Sequence, residues 1–198
     1  MGHSHNAFFS ESFIDELAFE TKQDPVAFRL ALLQQAPRYA AVLKLAAEKA
    51  KWGSALPAGH AHGVALHESF GSIVAQVAEV SIKDGVPRVH RVVCAIDCGT
   101  VVNPGTVAQQ VESSVNFALT AALFGQIDIQ DGVVQQTNFT NYPLVNLAQS
   151  PVVETWIMPS TQSPEGVGEP AVPPLAPAVA NAMFKLTGQR LRSLPLKA

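Results

Sequence analysis

The segment from Ser72 to Asp97 constrains the fold of this chain more than any other stretch of its sequence. The first part, SIVAQVAEVSI, has apolar residues at alternate positions from Ile73 onward, which is the period of a β-strand. The pair Asp84-Gly85 then favours a tight turn, and RVHRVVCAID predicts a returning strand. The sequence therefore predicts an antiparallel hairpin at this position.

Helical patterns lie on both sides of the hairpin. Residues 10–50 contain three helical segments, of which SESFIDELAFETK has Phe13, Ile14, Leu17 and Ala18 at the spacing of an apolar helix face. Two further helices are predicted in PGTVAQQVESSVNFALTAALF and APAVANAMFKLTG. The residues suited to start or end these helices are Asp24, Gly53, Asn103, Pro104, Gly125, Pro177 and Gly188.

The remaining patterns complete an α+β fold, in which β-hairpins pack with helices. The turn pair Asp131-Gly132 separates QIDIQ from VVQQTNF in a second predicted hairpin, and PVVETWIM predicts a short strand. Gly, Pro and Ser in GSALPAGHAHG predict a loop over residues 53–63. This loop divides a helical segment, 1–53, from a mixed segment, 64–198, within what we expect to be one structural unit of a larger subunit.

Composition excludes several classes of partner. Charged residues are only 15% of the chain, against about 25% in typical soluble domains, so we expect much of its surface to be covered. The net charge is -3 without a basic block, which argues against nucleic acid and anionic membranes. No apolar run reaches the roughly 18 residues of a membrane span, and the opening MGHSH lacks the pattern of a signal peptide.

Glu169 has unusual neighbours. Gly166 and Gly168 give the backbone conformations closed to other residues and allow a ligand to approach, while Pro170 restricts Glu169 to extended angles. A carboxylate that is held rigidly and shielded by apolar groups is suited to act as a general base. A solvent-exposed loop glutamate is the simpler interpretation of Gly-Glu-Pro alone.

A second stretch, DCGTVVNPGTVAQQVESS, combines turn residues with helix amides. Asp97 and Asn103 are suited to cap a turn and a helix start. Gln110 offers both donors and an acceptor, which suit a ligand rim rich in amides such as that of a pterin. A polar helix face in water is the alternative.

The sequence contains enough histidine and cysteine residues to form a zinc site. The pairs are His3 with His5, His60 with His62, and Cys94 with Cys98. Nothing in the sequence brings the three pairs together, and the two cysteines are better explained as small buried side chains. His67 is expected to cap a turn before a strand, and His90 to lie on the surface.

The order of these stretches resembles that of a known family. GHSHNAFFSESFIDELA, HESFGSIVAQVAEVSI, AIDCGTVVNPGTVAQQVE and GVGEPAVPPLAPAVANAMF follow one another as in the C-terminal part of the molybdenum-binding subunit of the xanthine oxidase family. The branch it resembles most is the isoquinoline 1-oxidoreductase β subunit with its bacterial aldehyde dehydrogenase relatives. The resemblance extends from Gly2 to about Leu196, and it implies a fragment of a larger molybdenum-cofactor-binding domain.

This resemblance implies roles for four residues. Glu169 would be the active-site base, Gln110 would hydrogen-bond the pterin, and Gly166 and Gly168 would line the cofactor. The cofactor is expected to be molybdenum–molybdopterin in its cytosine dinucleotide form. Its metal would be held by the pterin dithiolene, so no side chain is predicted as a metal ligand. The substrate would be an aldehyde or an N-heterocycle, and electrons would leave through iron–sulfur clusters in a partner subunit.

The sequence also departs from the family pattern. Ser113 and Ser114 stand where the family has glycine or another small residue after QVE, and Asn116 and Ala118 replace residues that are commonly apolar or glycine. The other cofactor loops would lie upstream of Gly2, with Met1 at the edge of an active-site loop. We therefore expect an upstream part of the subunit as a partner, in the cytoplasm or in the periplasm if a partner's signal exports the complex. The alternative is a non-catalytic remnant or interaction module of the same descent.

Overall fold

The computed structural model describes residues 2–197, and a four-stranded sheet with strand order β1-β2-β3-β6 forms its centre. The elements in chain order are α1 (His3–Glu20), α2 (Pro25–Leu32), α3 (Pro37–Lys49), β1 (His60–Ser69), β2 (Ser72–Lys83), β3 (Val86–Asp97), α4 (Pro104–Phe124), β4 (Ile129–Gln130), β5 (Val133–Val134), β6 (Val152–Ile157) and α5 (Leu175–Thr187). β1, β2 and β3 are antiparallel neighbours, and β6 lies parallel to β3. The predicted α+β class is confirmed.

The predicted hairpin is the pair β2–β3. Lys83 pairs with Val86 across a two-residue turn in which Asp84 and Gly85 have φ values of 52° and 76°. Positive φ at both positions is what a tight turn between twisted strands requires, and it explains why aspartate and glycine occur there. The second predicted hairpin is also present, but β4 and β5 have only two residues each.

Alternate residues of this hairpin face two different helical layers. Val74, Ala78 and Val80 of β2 pack in the cluster formed with α4 and α5. Ile73, Ala75 and Val77 pack in the cluster formed with α2 and α3. Both faces of the sheet are therefore covered, and the described residues form a helix–sheet–helix sandwich.

The sequence patterns do not predict strand β1. Residues 53–63 were predicted as a loop, but β1 begins at His60, so that His67 lies within a strand rather than capping a turn. The pattern is hidden because Gly63 contributes no side chain. An added Cβ at Gly63 would lie 2.0 Å from the carbonyl oxygen of Ala178, so α5 packs against the bare backbone of this strand.

The buried face of α1 also differs from the prediction. The helix is present, but Phe13 is 55% exposed and Leu17 is 38% exposed, while the carboxylates of Glu11 and Asp15 are buried. Tertiary structure overrides the apolar spacing because two arginines from other elements neutralise these carboxylates.

The first of these arginines is Arg29 of α2. Its Nε donates to Oε2 of Glu11 at 2.9 Å, and its side chain is only 2% exposed. Glu11 Oε2 also accepts from the backbone N–H of Leu66 in β1. Arg190, which follows α5, donates from Nη1 to Oδ2 of Asp15 at 2.7 Å. We call Glu11, Asp15, Arg29 and Arg190 the buried ion cluster.

Other helix boundaries agree with the sequence. Asn103 accepts a hydrogen bond from Thr106 N at the start of α4, Pro177 lies in the first turn of α5, and Gly188 ends α5 with φ 71°. The third helix ends at Lys49, slightly before the predicted Gly53. Among residues 2–197, no helix combines the length and hydropathy needed to cross a membrane.

We expect Arg29→Ala to lower the free energy of unfolding by about 3–5 kcal/mol, because it leaves the carboxylate of Glu11 buried without a counter-ion. Urea denaturation measures the loss. Arg192→Ala is the matched control. Arg192 pairs with Glu16, but its side chain is 63% exposed, so its loss should lower the free energy of unfolding by no more than about 1 kcal/mol. Equal losses in the two variants would contradict this account of the buried ion cluster.

Candidate functional site

The loop formed by residues 162–169 carries three of the predicted site residues and is anchored to the end of β3. The carbonyl oxygen of Gln162 accepts from the backbone N–H of Thr100 at 2.9 Å. The N–H of Glu165 donates to the carbonyl oxygen of Cys98 at 3.0 Å. We call residues 162–169 the glutamate loop, and these backbone contacts fix its first half.

Asp97 holds the segment to which the glutamate loop is anchored. Its carboxylate accepts from Gly99 N at 3.1 Å and from Arg38 Nε at 2.8 Å, which confirms Asp97 as a turn cap. Burial disfavours the charged form, but these hydrogen bonds outweigh it and hold the pKa of Asp97 below its usual value. An added Cβ at Gly99 would lie 1.9 Å from the carbonyl oxygen of Ser163, so only glycine permits this approach.

Gly166 lies against the turn between β1 and β2. Its N–H donates to the carbonyl oxygen of Phe70 at 3.2 Å, and its own carbonyl accepts from Ser72 Oγ at 2.6 Å. An added Cβ would lie 3.0 Å from the Cβ of Phe70, which leaves little room for a larger residue. In the described chain Gly166 therefore has a packing role.

Gly168 is different, because no contact in the described chain requires a glycine. A Cβ built there meets nothing within 4 Å, and its φ lies outside the left-handed region. Its carbonyl oxygen accepts from Oγ of Ser114 on α4 at 3.2 Å. The Cα of Gly168 thus borders open space in which another group could approach closely.

The two serines after QVE have different environments. Ser114 is buried and ties α4 to the glutamate loop, a contact that sequence analysis missed because it considered serine only as an obstacle to a ligand. Ser113 is exposed. Gln110 lies on α4 one helical turn before Ser114, roughly 6 Å along the axis from the residue that contacts Gly168. Gln110 is exposed, and none of the hydrogen bonds among residues 2–197 uses its side-chain amide.

Glu169 ends the glutamate loop with its side chain accessible. Its carbonyl oxygen accepts from Val172 N at 2.8 Å in the turn that precedes α5. The expectation that apolar neighbours shield this carboxylate is wrong for the described chain, where Glu169 is exposed. Phe70 and His3 line a small recess together with Glu169.

The histidines and cysteines do not assemble a metal site. His3 contacts His67, and His60 contacts Glu79 at 2.7 Å and stacks on His90. Both cysteines are free and buried in the described chain, as expected. Within residues 2–197, no group of three or more His, Cys, Asp or Glu side chains is placed to hold a metal ion.

The arrangement combines three chemical features. The first is a carboxylate at the end of a loop whose backbone is fixed by hydrogen bonds to β3, the β1–β2 turn and α4. The second is a bare Cα at Gly168 that a planar group could approach. The third is the exposed side-chain amide of Gln110, which forms no hydrogen bond within residues 2–197. Together these groups can bind a ligand with amide-like edges and accept a proton beside it.

Comparison with protein families matches residues 18–151 to the molybdopterin cofactor-binding domain. The beta subunit of isoquinoline 1-oxidoreductase from Brevundimonas diminuta is 36% identical over 195 residues, which are 96% of this chain and 25% of that protein. One subunit of nicotinate dehydrogenase from Pseudomonas putida is 34% identical over 98% of this chain and 18% of that protein. The chain thus spans a quarter or less of the length of these two curated relatives.

A solved structure has the same fold. The quinoline 2-oxidoreductase of Pseudomonas putida 86 superposes with a TM-score of 0.58 over 63% of this chain and 17% of that protein, at 22% identity.

We expect Ser114→Ala to lower the free energy of unfolding by about 0.5–1.5 kcal/mol, because the carbonyl of Gly168 loses its donor. Thermal or urea unfolding measures this loss. Ser113→Ala, one position earlier on the exposed side of α4, should change stability by less than half as much. An unchanged Ser114→Ala variant would show that this hydrogen bond does not anchor the glutamate loop.

Proposed function

Since this chain belongs to the molybdopterin cofactor-binding domain family, we propose that it forms part of a molybdenum hydroxylase that oxidises an aldehyde or an N-heterocycle. The single observation that carries the proposal is the glutamate loop, in which hydrogen bonds from three separate parts of the chain fix the backbone that leads to an accessible Glu169. A fixed base that still reaches solvent space can act on a substrate bound there. The cofactor, when bound, supplies the redox chemistry.

In this proposal Glu169 accepts the proton that must leave during the oxidation. The turn with Val172 and the restriction by Pro170 limit the positions that the carboxylate can take. A bound cofactor and substrate would also displace water from Glu169. Loss of water makes a carboxylate a stronger base toward a nearby proton donor.

Gln110, Gly166 and Gly168 are proposed to hold the pterin. The open space at the Cα of Gly168 and the unpaired amide of Gln110 fit a planar group with amide-like edges. Gly166 acts differently, because it lets the loop lie against Phe70 and so sets the position of Gly168. No metal ligand is proposed among the side chains.

Other protein parts are proposed to complete the site. Several large apolar side chains in the described residues are more than half exposed, which favours a surface that another protein segment covers. They are Phe9, Phe13, Val102, Phe117, Phe139 and Leu147. The proposed occupants are the remaining part of the molybdenum subunit and an iron–sulfur subunit that receives the electrons. The cytosine dinucleotide form of the cofactor and a cytoplasmic location stay predictions.

A non-catalytic remnant or interaction module of the same descent is the second candidate. The exposure of both Glu169 and Gln110 in the described chain favours it, because the described residues by themselves do not enclose either side chain. The two candidates differ in whether the protein from its native host contains the cofactor.

We expect Glu169→Gln to lower turnover by about 10²–10⁴-fold while about one molybdenum per chain is retained, because the amide cannot accept the proton. Metal analysis and steady-state kinetics on protein purified with its native partners measure both quantities. Glu165→Gln, four residues earlier in the same loop, is the matched control and should keep most of the activity. Absence of molybdenum in the wild-type complex would favour the non-catalytic candidate.

We expect Gly168→Ala to leave the unfolding temperature unchanged but to reduce pterin retention about tenfold, which corresponds to about 1.4 kcal/mol. The added methyl group meets no atom of this chain, so any effect must come from a group that approaches from outside. Pterin released by acid and quantified by fluorescence provides the measurement. Full retention would remove Gly168 from the proposed cofactor site.

A further inference from the structure

Glu169 lines one wall of a small recess. Its walls come from the first turn of α1, the β1–β2 turn and the residues just before α5: His3, Ser4, Phe70, Glu169, Val172 and Pro173. Its volume is about 20 Å³, which is too small for a substrate. A space of this size holds a single water molecule when two or more polar groups line it. His3, Ser4 and Glu169 provide such groups.

His3 is held in this recess by a second histidine. Its Nδ1 lies 3.2 Å from Nε2 of His67 in β1, and the two rings meet edge to face with centroids 5.4 Å apart. The ring of Phe70 also packs on His3, with ring centroids 5.3 Å apart. These contacts occupy Nδ1 and hold the ring, and none of the hydrogen bonds among residues 2–197 uses Nε2 of His3.

The surroundings of His67 favour its neutral form. Burial lowers the pKa of His67, and the neighbouring His3 lowers it further, while Glu68 on the same strand acts in the opposite direction. The other carboxylate near this turn is Glu165, which lies against Gly71. A neutral His67 can accept a proton from His3 and release it again without trapping it.

We propose that one water molecule in this recess links the carboxylate of Glu169 to Nε2 of His3, so that the His3–His67 pair carries protons away from Glu169. The inference rests on the proposed function, in which Glu169 is a base that must lose its proton before the next turnover. The two histidines act through Glu169 and do not touch the substrate.

The proton steps balance without any other reactant. Protonated Glu169 donates its O–H proton to the water, and the water donates one of its own protons to Nε2 of His3. The Nδ1 proton of His3 passes to the unprotonated Nε2 of His67, which releases its Nδ1 proton to the surrounding water. Glu169 ends as a carboxylate, and both imidazoles end neutral with the proton on the other nitrogen. Exchange with water then restores the starting tautomers.

The test uses His3→Gln in the complex that contains this chain and its native partners. We expect turnover to fall about tenfold or more, with a larger solvent deuterium isotope effect, because return of Glu169 to the carboxylate becomes slow. Added imidazole should restore at least half of the lost activity. His5→Gln is the matched control, since His5 lies on the same turn, packs on the exposed Phe9 and does not line the recess.

Two measurements do not depend on turnover. Ring-proton NMR of His67 in the full chain should show that its pKa rises toward the ordinary value in His3→Gln, because the repulsion from His3 is removed. A crystal structure that resolves water should show one molecule within hydrogen-bond distance of both Glu169 and His3. A recess without this water would overturn the proposed link.

Failure of this inference can be distinguished from failure of the proposed function. If Glu169→Gln keeps full activity, Glu169 is not the base and the proposed function fails at that residue. If Glu169→Gln is inactive but His3→Gln has wild-type turnover at every pH, the proposed proton transfer through His3 and His67 is wrong. The assignment of Glu169 as the base is then unaffected. If His3→Gln loses activity that imidazole does not restore, His3 only supports the structure, and the proposed proton transfer through His3 and His67 is likewise overturned.

Discussion

The buried ion cluster is the interaction on which the arrangement of this chain depends. Glu11 and Asp15 turn the charged side of α1 toward the protein interior, where Arg29 from α2 and Arg190 after α5 neutralise them. Charges buried in this way are favourable only if every partner is in place, so the cluster specifies how three separate segments meet. Asn181 of α5 adds to it by donating to the backbone carbonyl of Val64 in β1.

Two consequences follow from this orientation of α1. The first is that Phe9 and Phe13 face outward, where each side chain is more than half exposed. The second is that the first turn of α1 reaches the β1–β2 turn, so that His3 meets His67 and Phe70 beside Glu169. The same helix therefore contributes to an exposed apolar surface and to the wall of the candidate site.

The glutamate loop depends on small residues at close approaches. Gly99 and Gly166 allow the loop to lie directly on β3 and on the β1–β2 turn, and Ser114 joins it to α4. Of the two glycines in the glutamate loop, only Gly168 borders open space. Gly166 is therefore needed by the fold, whereas Gly168 is suited to the approach of a ligand. This difference cannot be read from the letters GVGE, because both glycines look the same in the sequence.

The sequence by itself determined the elements whose signals are local. The alternation in β2 and β3, the Asp84-Gly85 turn, the caps at Asn103 and Gly188 and the order of motifs that resembles one family all depend on residues close together in the chain. Only the tertiary structure decided what depends on distant partners. It showed that β1 is a strand although Gly63 and three histidines hide its pattern, that α1 buries its carboxylates, and that His3 and Ser114 join the candidate site. The physical reason is that a buried charge, like a close backbone contact, is favourable only when a partner far away in the sequence is in place. A local sequence pattern does not identify that partner.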